Sequence, residues 1–380
     1  MRPRIALLGA TRADLDRAAA LDIELIAITT PRLMDDGALG RDPAIFVHDL
    51  ADPVVPAIVR AIHAERPIGA CLAGGDALLE PAARINDALH LPWRSAHTVR
   101  LTRSPALFRS CLNEAGITPV ASQVCQSTAD LLEFGQLAGY PFVVKTAEQT
   151  RLLELPEQAA GVSCPVLAEE YLDGPQYSVE SFTFHGEHVP IAITEQTVFG
   201  RDLGWFITVG RAIPAPLGRV AWPEVSAALT ALGITEGPAH TELVLTGIGP
   251  RILSVRPGTG PDRTPDLIHL CTGLDLDLLA LAWAAQTVPA FDPPDAHRAS
   301  AIQYLLAAPG RIASIDGTHR ARTHPGVVDV VVSLGPGDRL RPLRTPRDRP
   351  AHVLAVGSTP ASARSTCSTA LDHIRLEYHR

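Results

Sequence analysis

The sequence predicts an α/β and α+β protein built from more than one packed subdomain. Short apolar runs alternate with helical patterns over the first hundred residues, which is typical of a parallel sheet with helices on its faces. A helix and several strands follow in a tighter succession that indicates a compact α+β unit. At 380 residues the chain is also too long for one small hydrophobic core.

Residues 1–100 carry the parallel α/β pattern. RIALLGA and ELIAITT are short apolar runs, and VVPAIVRAIHAERP has helical periodicity. IGACLAGG then reads as a buried strand, and DALLEPAARINDALHL as the helix after it. We therefore expect an N-terminal α/β domain over this range.

Residues 101–195 form the predicted central, or lid, subdomain. The helix SPALFRSCLNEAG ends at Gly116, the position where a C-cap glycine is expected. From about Thr118 the chain gives the strand ASQVC and the helix TADLLEFGQLAG. The strands PFVVKTA, PVLAEEYL and QYSVESFTF complete this α+β unit.

Two further segments are predicted beyond residue 195. In residues 196–295, WPEVSAALTALG is a helix, and AHTELVLT and RILSVRP are a strand pair across the turn GIGP. Residues 296–380 form a smaller strand-rich subdomain that ends in a helix.

Composition argues against several classes of function. The net charge of −8 and the lack of a Lys/Arg-rich run argue against a nucleic-acid partner. The apolar run at the N-terminus is too short for a signal peptide, and no apolar run reaches the length of a membrane span. The six cysteines are scattered without a CxxC pair, so we expect them to be reduced, with no metal assigned to them. A cytoplasmic protein is expected.

One residue is singled out by composition. Lys145, within GYPFVVKTAEQT, is the single lysine, while arginine supplies the rest of the 33 basic side chains. A codon bias against lysine explains its rarity. A requirement for a compact ammonium group explains its retention, because arginine does not replace lysine where a point charge or a removable proton is needed.

The order of motifs resembles the ATP-grasp superfamily, in its amino-acid ligase and carboxylate–amine ligase branch. The motifs run over essentially the whole chain: SPALFRSCLNEAGITPV, GYPFVVK, VLAEEYLDGPQYSVES, GPAHTELVLT, PDLIHLCTGLDL and the closing GRIASIDG to HVLAVGSTPASA. The resemblance implies an ATP-grasp architecture with a cleft between two α+β subdomains. It also implies ATP and magnesium as cofactors, phosphorylation of a carboxylate, and attack by an amine on the acylphosphate.

The resemblance also implies roles for particular residues. Lys145 matches a lysine that reaches the ATP phosphates, and Glu242 matches a glutamate that binds magnesium. His240 accompanies Glu242 in GPAHTE, and it fits equally well as a half-buried strand residue satisfied by backbone. The segment expected to bind adenine is Glu169, Glu170, Tyr171 and Leu172, with Glu180 facing the same cleft.

The chain departs from the branch pattern around the phosphates. Pro105, after Ser104, stands where a helix normally opens with a lysine that contacts ATP. Proline suits the first turn of a helix, so we expect the helix to be kept and the charge lost. The segment after Lys145 has no glycine before Gly161, whereas the branch has a glycine-rich lid whose N–H groups close over phosphate.

The departures continue at the metal strand. SVRPG places Ser254, Arg256 and Gly258 where the branch has an acidic residue, an asparagine and an arginine. Serine lacks the bridging carboxylate, and a cation at Arg256 repels magnesium. In the amino-acid-binding segment, ITVGRAIP offers Thr208 and Arg211 in place of an acidic residue and a histidine.

Three functions stay open from the sequence. The first is a repurposed cleft of specialised, natural-product metabolism that acts on an amino-acid-like or carboxylate compound without ordinary ATP-dependent ligation. Lys145, Arg256 and His240 are its candidate catalytic residues, and Lys145 beside Arg256 is expected to act as a base or nucleophile. The second is an atypical working ligase, with Lys145 and Arg256 as a phosphate clamp. The third is a non-catalytic partner of an active ligase. A homodimer is expected only by analogy with the family.

Overall fold

The computed structural model describes residues 2–34, 44–146, 149–200, 204, 206–215, 220–288 and 294–379. The N-terminal unit contains a parallel four-stranded sheet with the strand order β3-β2-β1-β4. Its strands are β1 (Arg4–Leu8), β2 (Glu24–Thr29), β3 (Ala44–Phe46) and β4 (Cys71–Ala73). Its helices are α1 (Arg12–Ala20), α2 (Val54–Glu65), α3 (Leu79–Leu89) and α4 (Ala96–Arg103). The apolar runs that predicted this parallel sheet are its buried strands, packed under the helices.

The central unit begins with a helix that starts at Pro105, as the sequence predicted. Its helices are α5 (Pro105–Glu114) and α6 (Thr128–Ala138). Ser104 caps α5 by accepting the N–H of Leu107, and Pro105 occupies the first turn, where its missing N–H costs nothing. Four antiparallel strands follow in the order β5-β8-β6-β7. These are β5 (Ser122–Cys125), β6 (Phe142–Lys145), β7 (Thr150–Leu153) and β8 (Val166–Glu170).

An eight-stranded antiparallel sheet, the core sheet, holds the rest of the chain together, in the order β13-β12-β9-β10-β11-β14-β18-β16. Five strands come first: β9 (Gln176–Phe184), β10 (Glu187–Phe199), β11 (Ile207–Ile213), β12 (Gly237–Thr246) and β13 (Gly249–Pro257). The others are β14 (Ala299–Tyr304), β16 (Val327–Val332) and β18 (Ala351–Gly357). Helices α7 (Trp222–Ala231), α8 (Thr264–Thr272) and α9 (Leu276–Ala284) belong to the same part of the chain.

The last segment adds a small sheet to this core. β15 (Gly310–Asp316) lies between β17 (Arg339–Leu340) and β19 (Arg375–Tyr378). Helix α10 (Thr318–Arg322) and the predicted final helix, α11 (Pro360–Leu371), complete the segment. Because β14, β16 and β18 pair within the core sheet, the last eighty residues extend that sheet as well as forming their own. The predicted boundary after residue 195 falls inside strand β10.

Within the described residues, no single helix is long and apolar enough to cross a bilayer. Helices α8 and α9 reach that length and apolarity only when taken together, and the chain bends by 94° between them.

Candidate active site

Two rows of polar side chains cross one face of the core sheet. Residues directly opposite each other on neighbouring antiparallel strands point to the same face, and so do residues two apart on one strand. The register of β9, β12 and β13 therefore brings both rows onto one face. The first row is Glu180, His240 and Arg256, and the second is Ser178, Glu242 and Ser254.

Lys145 lies at the end of β6 in a buried group of charges. Glu169 on β8 is its diagonal neighbour, since Val143 is the residue opposite Glu169. Lys145 Nζ is 2.7 Å from Glu169 Oε2 and 3.4 Å from the carbonyl oxygen of Leu253 on β13. Burial alone would raise the pKa of Glu169, but Lys145 and Arg109 together hold it below its usual value. The carboxylate is therefore ionised and shared between two cations.

Arg109 is the second cation, and the sequence analysis missed it. Its Nε donates to Glu169 Oε1 at 2.7 Å, and its Nη2 donates to the carbonyl of Ile252 at 2.9 Å. Arg109 lies on α5 between Phe108 and Leu112, on the buried face of the helix. An arginine inside an apolar helical stripe is the sequence signal that would have revealed it, because such a residue is seldom buried without a partner.

The Glu180–His240 pair is almost completely buried within this face. Nδ1 of His240 contacts Glu180 Oε1, and its Nε2 is 3.5 Å from Glu242 Oε1. Burial would lower the pKa of His240, but the two carboxylates raise it to about 9, so the ring is charged at neutral pH. Gly260 lies directly over the pair, since a Cβ there would be 2.7 Å from His240 Nδ1 and 2.8 Å from Glu180 Oε1.

Glu242 is surrounded by donors from the protein itself. Ser254 Oγ donates to its Oε2 at 3.1 Å, and Nη2 of Arg211 is 3.6 Å from its Oε1. Burial opposes ionisation, but the contact with His240 and the charges of Arg211 and Arg256 hold the pKa of Glu242 far below its usual value. Glu242 is therefore an ionised carboxylate with cationic side chains beside it, and its side chain is 32% exposed.

Arg211 is fully enclosed and connects Glu242 to a second carboxylate. Its Nε is 3.5 Å from Asp262 Oδ2, and its Nη1 donates to Ser178 Oγ at 3.2 Å. Asp262 Oδ1 in turn accepts a hydrogen bond from Arg349 Nη2 at 2.5 Å. Arg211 is a departure from the branch pattern that the sequence reveals, whereas no sequence motif marks Asp262 or Arg349.

Among the residues that the structure describes, no three His, Cys, Asp or Glu side chains form a group that could hold a metal ion. A divalent ion bound to Glu242 Oε1 would share that oxygen with the guanidinium of Arg211, whose Nη2 is 3.6 Å away, and the two positive charges would repel each other.

The predicted adenine segment lies at the end of β8. Glu169 is turned inward to Lys145, and Glu170 Oε1 accepts the N–H of Ala121 at 2.9 Å. The Tyr171 ring stacks with Phe206 at a centroid distance of 6.3 Å. Leu172 is half-buried in the segment that follows the strand. Their part in nucleotide binding stays a prediction.

Arg256 has an exposed partner from the N-terminal unit. Its Nη1 is 3.3 Å from Asp76 Oδ2, with the two side chains 40% and 62% exposed. Lys145 is paired with Glu169 and Arg256 with Asp76, so these two cations contact different carboxylates. The interpretation of Lys145 as a base beside Arg256 gains no support from these contacts and stays a prediction.

The lid segment after Lys145 contains β7 and a 3₁₀ turn at Pro156–Gly161. Arg151 Nη1 on β7 donates to the carbonyl of Gly161 at 3.2 Å, which closes the segment on itself. Residues 147 and 148 lie outside the described residues.

Comparisons with known proteins agree with this architecture. Residues 303–379 match the family model described as L-amino acid ligase C-terminal domain 2. The crystal structure of an L-amino acid ligase from Bacillus licheniformis superposes with a TM-score of 0.82 at 20% identity, covering 100% of this chain and 99% of that one. A carboxyaminoimidazole ribonucleotide synthase from Aspergillus clavatus, complexed with ATP, gives 0.74 at 14% identity, covering 98% and 99% of the two chains.

A curated relative is also similar over most of its length. Dapdiamide A synthase from Enterobacter agglomerans is 20% identical over 90% of this chain and 87% of its own. The fold predicted from the sequence is therefore confirmed.

Proposed function

We propose that this chain, which has the fold of the ATP-grasp ligases, binds a small amino-acid-like or carboxylate compound in its cleft and acts on it without ordinary ATP-dependent ligation. One observation carries the proposal: Arg211 Nη2 is 3.6 Å from Glu242 Oε1, the carboxylate expected to bind magnesium. The positive charge beside that carboxylate then comes from the protein. Ser254 adds to this by donating to the other oxygen of Glu242.

The state of Lys145 supports the same proposal. Its ammonium is 2.7 Å from Glu169 Oε2, and its side chain is only 12% exposed. The negative charge of Glu169 offsets part of the ammonium's attraction for an ATP phosphate, so this lysine would bind phosphate more weakly than an unpaired one. We therefore assign Lys145 to holding the cleft together and to contacting the ligand at its edge. Kinship to dapdiamide A synthase supports a place in specialised metabolism.

The second candidate is a working ATP-dependent carboxylate–amine ligase. The likeness to an L-amino acid ligase over the whole chain favours it, and so does the likeness to a synthase complexed with ATP. A substrate carboxylate would then attack the γ-phosphate, releasing ADP, and an amine would displace phosphate from the acylphosphate. A homodimer and a cytoplasmic location stay predictions under either function.

Calorimetric titration of ATP, with and without magnesium, separates the two. We expect no saturable binding to the wild type in either condition, and no rise in melting temperature. A real site filled at a hundred times its Kd would stabilise the fold by about 2.7 kcal/mol. Magnesium-dependent ATP binding that Lys145→Arg abolishes would reject our proposal in favour of the ligase. Arg347→Lys, the reverse exchange at an exposed arginine, is the control.

Melting-temperature screening tests the third possibility, a non-catalytic partner of an active ligase. If neither ATP nor any compound from a panel of amino acids and small carboxylates raises the melting temperature, the cleft does not bind the proposed class of compound. A protein that instead co-purifies with a ligase would fit a non-catalytic partner.

A further inference from the structure

Arg211 lies where three oxygen-bearing side chains converge. Its Nη2 is 3.6 Å from Glu242 Oε1, and its Nε is 3.5 Å from Asp262 Oδ2. Its Nη1 donates to Ser178 Oγ at 3.2 Å. Two carboxylates and a hydroxyl are hard oxygen donors, the kind that magnesium and manganese select, and such ions often take only one or two carboxylates with water filling the other positions. Arg211 is only 1% exposed, so its guanidinium fills that space.

Asp262 is held in place by the C-terminal segment. Arg349 Nη2 donates to its Oδ1 at 2.5 Å, and the Tyr304 hydroxyl donates to the same oxygen at 3.4 Å. The Arg349 guanidinium also lies 3.6 Å from the centre of the Tyr304 ring. Both residues belong to the range that matches the L-amino acid ligase C-terminal domain. The segment therefore fixes a carboxylate beside Arg211.

The charges of this group compensate one another. Glu242 and Asp262 supply two carboxylates, and Arg211 and Arg349 supply two cations in contact with them. A carboxylate group that awaits a metal ion carries an excess of negative charge. This group has none, because the buried arginine already supplies the compensation.

We propose that Arg211 takes the place of a divalent metal ion in this cleft. The inference rests on the proposed function, because it identifies the cation that the same cleft uses. Its guanidinium supplies a fixed positive charge between Glu242 and Asp262. Among the described residues, neither Arg211 Nε nor Nε2 of Gln196 has a hydrogen-bond partner. Gln196 is the residue opposite Arg211 on β10.

Manganese alone tests the proposal, with no nucleotide present. Electron paramagnetic resonance measures free Mn²⁺ during titration of the wild type, Arg211→Met and Arg211→Lys. We expect the wild type and Arg211→Lys to leave Mn²⁺ free, because both keep the cation. Arg211→Met uncovers the two carboxylates, so we expect it to bind one Mn²⁺ at least tenfold more tightly than the wild type. Adding Glu242→Gln to that variant should remove the gain.

Two outcomes would overturn the proposal. One is wild-type protein that binds Mn²⁺ and loses it in Glu242→Gln. The other is a folded Arg211→Met that binds Mn²⁺ no more tightly than the wild type. Arg211→Gln keeps a donor for Ser178 while removing the charge, so it serves in the same titration if Arg211→Met does not fold. Binding of magnesium–ATP to a wild type that leaves Mn²⁺ alone free would reject the proposed function, and the Mn²⁺ titration of Arg211→Met would then still decide whether Arg211 keeps a metal ion away from Glu242 and Asp262.

Discussion

The ammonium of Lys145 makes contacts that an arginine guanidinium at the same position would not reproduce. Arg109 already donates to one oxygen of Glu169, and Lys145 reaches the other at 2.7 Å from the diagonal position on the neighbouring strand. Its Nζ also approaches the carbonyl of Leu253. A compact point charge meets both partners, whereas a planar fork is longer and fixes its donors in one plane. The structure thus gives a physical reason for a lysine at this position.

Removing the shared carboxylate should be costly. Glu169→Gln leaves Lys145 and Arg109 without a compensating charge, so we expect it to lower the free energy of unfolding by about 3 kcal/mol at pH 7. The pKa of Glu169 is held below its unfolded value of 4.5 by the two cations. Its contribution is therefore complete above about pH 4.5 and is lost as the pH falls through the lower, folded-state pKa.

Urea unfolding across this pH range measures the difference. The neighbouring Glu170→Gln removes only a carboxylate that accepts one backbone N–H, so it is the control and should change stability by less than about 1 kcal/mol. A Glu169→Gln penalty that persists unchanged at pH 3 would contradict the assignment.

Gly260 offers a second test at the residue scale. A methyl group there would meet His240 Nδ1 at 2.7 Å and Glu180 Oε1 at 2.8 Å. We expect Gly260→Ala to cost about 1–3 kcal/mol, because the buried pair must shift. Gly247→Ala is the control, since its Cβ would meet nothing within 4 Å. Equal melting temperatures for the two variants would show that the pair yields without cost.

At the scale of strands and helices, local sequence patterns predicted the strands themselves better than they predicted which strands pair. Alternating and apolar runs identified β1, β2, β6, β8, β9, β12 and β13, and the turn GIGP correctly joined β12 to β13. The sequence did not reveal that β9 lies between β10 and β12. That neighbourhood is set by contacts between distant parts of the chain, for which a local pattern carries no signal.

The candidate site shows the same division. Glu180, His240 and Glu242 could be found from motif and alternation, and the structure brings them together. Asp262 and Arg349 could not, because they come from two loops far apart in sequence, and the only signal for Arg109 was its position on the apolar face of α5. Their roles follow only from which charges the fold buries beside one another.

The ion pair between Arg256 on β13 and Asp76 joins the core sheet to the N-terminal unit, and we expect it to contribute little to the free energy of unfolding. Both side chains are well exposed, and pairs of this kind contribute about 0–1 kcal/mol because solvent screens them. We expect a double-mutant cycle of Arg256→Gln and Asp76→Asn, followed by urea unfolding, to give a coupling energy within that range. A coupling above about 2 kcal/mol would mean that the pair anchors the N-terminal unit to the core sheet.

For the whole molecule, the C-terminal segment is part of the core. Strands β14, β16 and β18 continue the core sheet beyond β11, and Arg349 reaches back from the loop before β18. Its Nη1 also donates to the carbonyl of Thr208 at 2.8 Å. Folding of the last segment and assembly of the cleft are therefore coupled.

Arg349→Met should destabilise the whole chain. It leaves Asp262 buried with only longer contacts to Arg211 and the Tyr304 hydroxyl, so we expect a loss of about 3 kcal/mol in the free energy of unfolding. Thermal and urea unfolding monitored by circular dichroism measure it. The exposed Arg347→Met is the control and should lie within about 0.5 kcal/mol of the wild type. A wild-type-like Arg349→Met would show that the two segments are stabilised independently.

The single side-chain amine of these 380 residues lies at the edge of the cleft. An amine-selective acylating reagent can therefore modify only one lysine, and a single proteolytic fragment reports its yield. Because Lys145 is mostly covered and paired with Glu169, acylation should be slow in the resting protein and slower when a compound covers the cleft. The protein thus carries its own footprinting probe, with which compounds can be screened for occupancy before any reaction is known.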